Sequence, residues 1–248
     1  MDLGISGKRA AVAASSGGLG FAAAQALVDA GVHVAICGRD GERLAKAAAE
    51  LGGLATPITA DVSTPTGATS FVERAIAALG GIDILVPNAG GPPAGLIADI
   101  AWDAYQPALD QNLLATVAMC RAAVPSMIDQ GWGRVVAITS YTVRQPLPGM
   151  VLSNTARAGA TAFLKTLATE VAASGVTVNS VQPGSHATDR LRQLHGGDLS
   201  KAAAGVPTHE LGRPEDFGAV VAFLCSDSAR FVTGAAVPVD GGASRGLQ

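Results

Sequence analysis

The sequence contains no run of about 18 apolar residues, so it offers no membrane-spanning segment. It has no basic cluster and a formal net charge of −3, which argues against a nucleic-acid or anionic-membrane partner. Its opening, Met1 to Arg9, lacks the long apolar stretch of a secretory signal. Cysteine is scarce: Cys37, Cys120 and Cys225 stand singly in apolar segments, with no CxxC spacing and in odd number. That usage excludes a disulfide framework and suits small core residues in a reducing cytoplasm. His186, His195 and His209 show no metal-ligand spacing, so no catalytic metal is expected. No linker, repeat or low-complexity tract divides the chain. Tyrosine occurs only twice, at Tyr105 and Tyr141, a scarcity that bears on the chemistry below.

What is present is an alternation. Strand-like apolar runs read at Arg9–Ala14, Val32–Cys37, Leu54–Thr59, Ile82–Pro87, Arg134–Thr139, Thr177–Val181 and Ala236–Val239. Between them lie Ala-rich stretches with helical periodicity, such as Leu19–Ala30 and Glu42–Leu51. Alternation of this kind predicts an α/β fold: one Rossmann-like, doubly wound parallel sheet with helices on both faces, spanning 1–248 as a single domain. Near-continuous apolar strands fit burial on both sides. The longest irregular-looking segment, Ser185–Pro214, predicts a substrate lid at about 185–214.

The first strand runs into Ala14-Ser15-Ser16-Gly17-Gly18-Leu19-Gly20 and then a helix. Glycines let the backbone turn sharply and approach a pyrophosphate, while the helix N-terminus presents free N–H groups and a positive dipole end. An ordinary strand-to-helix turn is the alternative. The position, between a strand and a helix near the N-terminus, favours nucleotide binding.

From end to end, about residues 5–244, the chain resembles the short-chain dehydrogenase/reductase family. The glycine turn is similar to the family's Thr-Gly-x-x-x-Gly-x-Gly, with Ala13-Ala14 replacing Thr-Gly. Asp61-Val62 resembles its adenine-contacting pair, and Asn88-Ala89-Gly90 its Asn-Ala-Gly turn over the cofactor. Asn112 falls at the proton-relay Asn and Ser140 at the catalytic Ser. Pro183-Gly184 and Thr188 match the segment that holds the nicotinamide. Arg213–Asp216 and Thr233–Gly242 match the C-terminal signature. The resemblance implies a nicotinamide cofactor. At the end of the second strand, where NAD enzymes carry an acid, stands Gly38, followed by Arg39; this favours NADP(H) over NAD(H), although Asp40 lies one step further.

One departure is sharp. The family's catalytic Tyr lies 13 positions after the Ser, which is Ser153 here, and its Lys four later, which is Arg157. Positions i and i+4 share a helix face, so both residues should point at the nicotinamide cavity. In the family the Lys lowers the phenol's pKa from about 10. A Ser hydroxyl is shorter and a weaker acid. Arg157 keeps the charge and can still hold ribose hydroxyls, but it gives up no proton. Losing the donor removes about 10²–10⁴-fold in rate unless something replaces it. Tyr141, or a water held by Asn112, Ser140 and Ser153, are the candidate replacements. His186, His195 and His209 are further candidates, because histidine is the side chain suited to proton transfer near neutral pH, but each reads first as a solvent-exposed loop residue.

The leading expectation is an NADP-dependent oxidoreductase acting on a small-molecule carbonyl or alcohol, similar to a 3-oxoacyl reductase, with a non-standard proton relay. The alternatives are a cofactor-binding protein without hydride transfer, performing lyase, isomerase or cyclase chemistry or regulation, and a silent subunit beside an active paralogue. Leu147, Met150, Val151, Leu191, Leu194, Val206 and Leu211 either line the pocket or pack the lid. The resemblance further implies a homo-oligomer, tetramer or dimer, built on helices near Trp102–Met127 and Leu152–Ala173.

Overall fold

The computed structural model describes residues 2–194 and 196–247; His195 lies outside the described residues. Seven strands form one sheet in the order β3-β2-β1-β4-β5-β6-β7, and every pairing is parallel. They are β1 (Arg9–Val12), β2 (His33–Gly38), β3 (Ala55–Thr59), β4 (Ile84–Val86), β5 (Gly133–Ile138), β6 (Val176–Pro183) and β7 (Ala236–Val239). The order reverses between β1 and β4, and a ligand crevice opens beyond the strand ends at such a switch point.

Successive side chains point to opposite faces of a strand. Ala10 and Val12, with Val34 and Ile36, therefore face one helix layer: α1 (Gly18–Asp29), α2 (Gly41–Leu51) and α9 (Pro214–Cys225), contributing Leu27, Leu44 and Phe217. Ala11 and Ala13, with Ala35 and Cys37, face α3 (Pro65–Leu79), α5 (Ala115–Asp129) and α6 (Val151–Val171), contributing Phe71, Met119 and Leu164. Each fully buried Phe or Leu contributes about 1.5–3 kcal/mol, so both faces are strongly specified. The α/β reading holds, with strand ends shifted by one or two residues.

The predicted helix at 102–127 is not continuous. A 3₁₀ turn (Trp102–Ala104) leads into α4 (Tyr105–Leu109), then a π-helical turn (Asp110–Leu114), then α5. The wider turn inserts at Asn112, a position associated with functional sites. The excursion from Ser185 to Pro214 also carries more structure than its sequence suggests: α7 (Asp189–Leu194) and α8 (Ser200–Ala204). Its two ends are zipped together. Ala187 N–H donates to Gly212 O at 2.9 Å, and Gly212 N–H to Ser185 O at 2.9 Å. No helix among the described residues is long and apolar enough to cross a membrane.

Candidate active site

The glycine turn is built as a close approach. A Cβ on Gly20 would stand 2.5 Å from the Ala14 carbonyl oxygen and 2.7 Å from Asn88 Nδ2, so only glycine fits. Asn88 Nδ2 donates to the Ala13 and Ala14 carbonyls, both at 3.2 Å, tying the turn to the end of β4. Ala14 itself has φ 46, the left-handed conformation that the family's glycine adopts freely. A residue with a Cβ is strained in that conformation.

The other residues of the turn divide their work. Ser15 is fully buried. Its hydroxyl donates to Val12 O (2.7 Å) and accepts from Cys37 N–H (3.1 Å), so it clamps β1 to β2 and faces no ligand. Leu19 packs its side chain on the core and leaves only backbone to the turn. Gly18 and Gly20 open α1, whose N-cap Gly17 leaves the helix start without a side-chain cap. Ser16 turns toward Gly38: a Cβ on Gly38 would lie 2.8 Å from Ser16 Oγ.

Beside the turn is a cleft of about 200 Å³ lined by Ala14, Ser16, Gly38, Arg39, Asp61, Val62, Ala89 and Gly90, among others. Arg43 and Gln111 are among the lining residues that were not foreseen. Arg43, on α2, donates from Nε to Ser16 O at 3.2 Å. Gln111 closes the far side, its Nε2 3.1 Å from a Cβ position on Gly90. Both were hidden because they sit on amphipathic helices, where polar residues read as solvated faces. Asp40 does not compete for a ligand: its carboxylate accepts from Glu42 N–H and Arg43 N–H at 3.0 Å, capping α2. Asp61 is held below the usual carboxylate range; partial burial opposes this, but hydrogen bonds from Ser63 and the charge of Arg39 prevail.

On α6, Ser153 and Arg157 are both buried, at 4% and 9% exposure, as their spacing required. Arg157 Nη1 donates to Ile138 O and Thr139 O, both at 3.1 Å, and Nη2 to Ala89 O at 3.3 Å. Three of its five N–H donors are thus committed to carbonyls at and just after the end of β5 and in the segment after β4. Burial, helped by the nearby charge of Arg190, pushes the guanidinium down to about 10, and it stays cationic at neutral pH. Ser140 follows β5, with its hydroxyl 3.0 Å from Thr142 Oγ1 and accepting from Thr142 N–H at 3.2 Å. Asn112 is buried on the π turn. Its Nδ2 donates to Ala108 O at 3.4 Å, and its Oδ1 has no partner among the described residues.

Tyr141 is placed less favourably. Burial, and then the charge of Asp240, push its phenol above the usual tyrosine value, which makes it a poorer proton donor than a free tyrosine. His186 corrects the exposed-loop reading: it is 4% exposed. Its Nδ1 lies 3.1 Å from Gly184 O, and its ring meets Phe217 edge-on at 5.2 Å between centroids. His209 is exposed, as read. Pro183, Gly184 and Thr188 lie between the end of β6 and α7, where the 185–214 excursion begins. A Cβ on Gly184 would stand 2.7 Å from Asp240 Cα, and Thr188 Cγ2 lies 4.0 Å from the Cβ position of Gly18, so lid base and phosphate turn face each other. Val206 is buried and packs on Gly241, whereas Leu194 is 43% exposed; neither is fixed as a pocket wall.

A parallel sheet with a glycine cradle at its switch point defines a dinucleotide-binding α/β protein. The family profile described as Enoyl-(Acyl carrier protein) reductase matches residues 13–244. Dehydrogenase/reductase SDR family member 4 of Homo sapiens is 36% identical over 246 residues, covering 96% of this chain and 88% of its own. The 3-oxoacyl-(acyl-carrier-protein) reductase of Aquifex aeolicus is 35% identical over 247 residues, covering 98% and 99%. Among solved structures, L-sorbose reductase from Gluconobacter frateurii, complexed with NADPH and L-sorbose, matches with a TM-score of 0.93 at 34% identity, covering 100% of both chains. The chain belongs to the short-chain dehydrogenase/reductase family, and it is an NAD(P)-dependent oxidoreductase of that type.

Proposed function

We propose that the protein interconverts a small-molecule carbonyl and its alcohol with NADP(H), using a non-standard proton relay in which Ser153 stands in the family's tyrosine position. The observation that carries this reading is the pinning of Arg157 to Ile138, Thr139 and Ala89, which keeps a cation at the catalytic position while the phenol is absent. What supports a dinucleotide there is the cleft itself, which opens beside the glycine turn and the N-terminus of α1, the arrangement that takes a pyrophosphate. Gly18, Gly20, Asn88, Asp61, Val62 and Thr188 would hold the cofactor. Arg39 and Arg43, beside Gly38 and Ser16, supply two cations for a 2′-phosphate, with Asp40 turned away as a helix cap. The bound cofactor would supply or accept the hydride.

The chain's own residues do the rest. Ser140 presents a hydroxyl to a carbonyl oxygen. Arg157 adds positive charge behind it, where negative charge develops. Ser153 and the unpartnered Asn112 Oδ1 offer polar sites that a water can bridge to deliver the proton. Tyr141 is the weaker candidate, since its phenol is pushed up. The L-sorbose reductase is complexed with NADPH and L-sorbose, which agrees in class. We extend the reading to a cytoplasmic homo-oligomer; Trp102 (86% exposed), Ile97 (75%) and Phe231 (99%) are apolar surface available for burial.

The test is NADPH and NADH consumption over a panel of ketones, quinones and 3-oxoacyl thioesters, with cofactor binding followed by fluorescence in the same samples. Turnover with NADPH, at a rate well above that with NADH, is the expected result. Tight NADPH binding with no turnover on any substrate would instead favour the non-redox reading of the pocket.

A further inference from the structure

Two guanidinium groups hold one short turn at the mouth of the cleft. Arg157 takes the carbonyl of Ala89 at 3.3 Å; Arg190, from α7 in the lid, takes the carbonyl of Pro92 at 3.0 Å. Arg190 Nη2 also lies 3.3 Å from where a Cβ on Gly91 would stand, so the guanidinium covers the turn directly. The contact crosses 98 residues of sequence. It brings a cation of α7 over the segment that follows β4, close enough to act on the charge of Arg157.

No carboxylate offsets this charge. None of the ion pairs among the described residues includes Arg157 or Arg190. The neighbouring acid, Asp189, is paired with Arg192 at 3.2 Å. Asp240 accepts from Gly242 N–H and Ser244 N–H, both at 2.9 Å. The two guanidiniums are near enough for Arg190 to weaken the protonation of Arg157. Holding two like charges together is unfavourable until an anion joins them. Arg190 is exposed, and Pro92 takes only one of its five donors, so a planar fork remains for a ligand. The cofactor's phosphates have other partners: the glycine turn, Arg39 and Arg43.

We propose that Arg190, positioned by the Pro92 carbonyl over the Ala89–Pro92 segment, forms an anion subsite that takes the carboxylate of an oxo-acid or hydroxy-acid substrate. The inference rests on the oxidoreductase reading of the same cleft and narrows its substrate class. Arg190 acts as a specificity-determining residue: it orients the acid so that its carbonyl faces Ser140 and Ser153.

The test needs no turnover. Pyruvate, acetoacetate and levulinate, and their methyl esters, are titrated calorimetrically into NADPH-loaded protein, in wild type, Arg190→Met and Arg190→Lys. Wild type is expected to bind at least one acid about tenfold or more tightly than its ester, close to 1.4 kcal/mol. The preference should collapse towards unity in Arg190→Met and survive in part in Arg190→Lys, which keeps charge but loses the fork. Equal binding of acids and esters, or no binding of any acid, overturns the proposal. So does an Arg190→Met variant that keeps the preference, or one that weakens NADPH itself tenfold, which would assign Arg190 to the cofactor. Selective acid binding with no NADPH consumption would sink the redox reading and leave the subsite standing.

Discussion

Arg157 donates to the carbonyl oxygen of Thr139 at 3.1 Å, which sets a buried cation one residue before Ser140. The same nitrogen reaches Ile138 O, and its neighbour reaches Ala89 O across to the loop after β4. A planar fork can satisfy three carbonyls at once; a single ammonium on a shorter stem cannot match that geometry. The arginine is therefore a structural tie as well as a charge, and it accounts for how the site keeps its shape without the usual pair.

Restoring that pair should exchange stability for chemistry. Ser153→Tyr with Arg157→Lys is expected to raise NADPH-dependent carbonyl reduction by about 10²-fold or more, the usual worth of a placed acid. The same variant should melt at a lower temperature than wild type, because at least one of the three carbonyls loses its donor. Steady-state kinetics and thermal denaturation on one preparation check both halves. A folded double variant that binds NADPH yet reduces nothing would remove the missing donor as the limiting factor.

Ala14 gives the opposite kind of prediction. Its φ of 46 is costly for a residue with a Cβ, by about 1–2 kcal/mol. Glycine relieves the strain but adds unfolded-state entropy of about 0.4–1 kcal/mol. Ala14→Gly should therefore stabilise the protein by roughly 0.5–1 kcal/mol net, a rise of about 2–4 °C in Tm for a chain of this size at the upper end. Calorimetry with and without NADPH reads the change; a lower Tm would mean the turn is not strained as its dihedral implies.

These two positions also show what the sequence could tell. The sheet was legible because parallel strands buried on both faces read as continuous apolar runs; the strand order came only with the fold. Ser153 and Arg157 were located by register alone. Arg43, Gln111 and Arg190 were not, because each reaches the site from a helix where a polar residue is unremarkable; only the fold brings Arg190 to Pro92. His186 was misread for a related reason. A loop histidine beside glycines reads as exposed, whereas the ring is packed against Phe217 and over Gly212 by the zipped lid base.

Arg39 and Arg43 set the cofactor prediction. Both line the cleft beside Gly38, and no carboxylate projects from that position. Replacing both with serine should weaken NADPH binding by about tenfold or more while moving NADH much less, since a charge-assisted hydrogen bond contributes about 1.5–3 kcal/mol. Fluorescence titration with both nucleotides gives the ratio. Equal losses for the two would assign the arginines to something other than a 2′-phosphate.

His186 sets a pH dependence. Burial lowers its pKa below the ordinary value of about 6.5, against the opposing pull of the Gly184 carbonyl and the charges of Asp216 and Asp240. The folded state thus binds fewer protons than the unfolded chain between that lowered value and about 6.5. Stability contributed by the neutral ring is present above about pH 6.5 and is lost as pH falls through that window, with a slope of at most about 1.4 kcal/mol per pH unit. His186→Gln retains a donor for the Gly184 carbonyl but cannot titrate. Urea unfolding at pH 7, 6 and 5 should show wild type losing stability faster than the variant. Asp83, which Arg9 holds below the usual carboxylate range against the opposing effect of burial, loses its share only at lower pH and does so equally in both proteins. Parallel curves between pH 7 and 5 would show that the imidazole is solvated in the folded state and that the packed geometry against Phe217 is wrong.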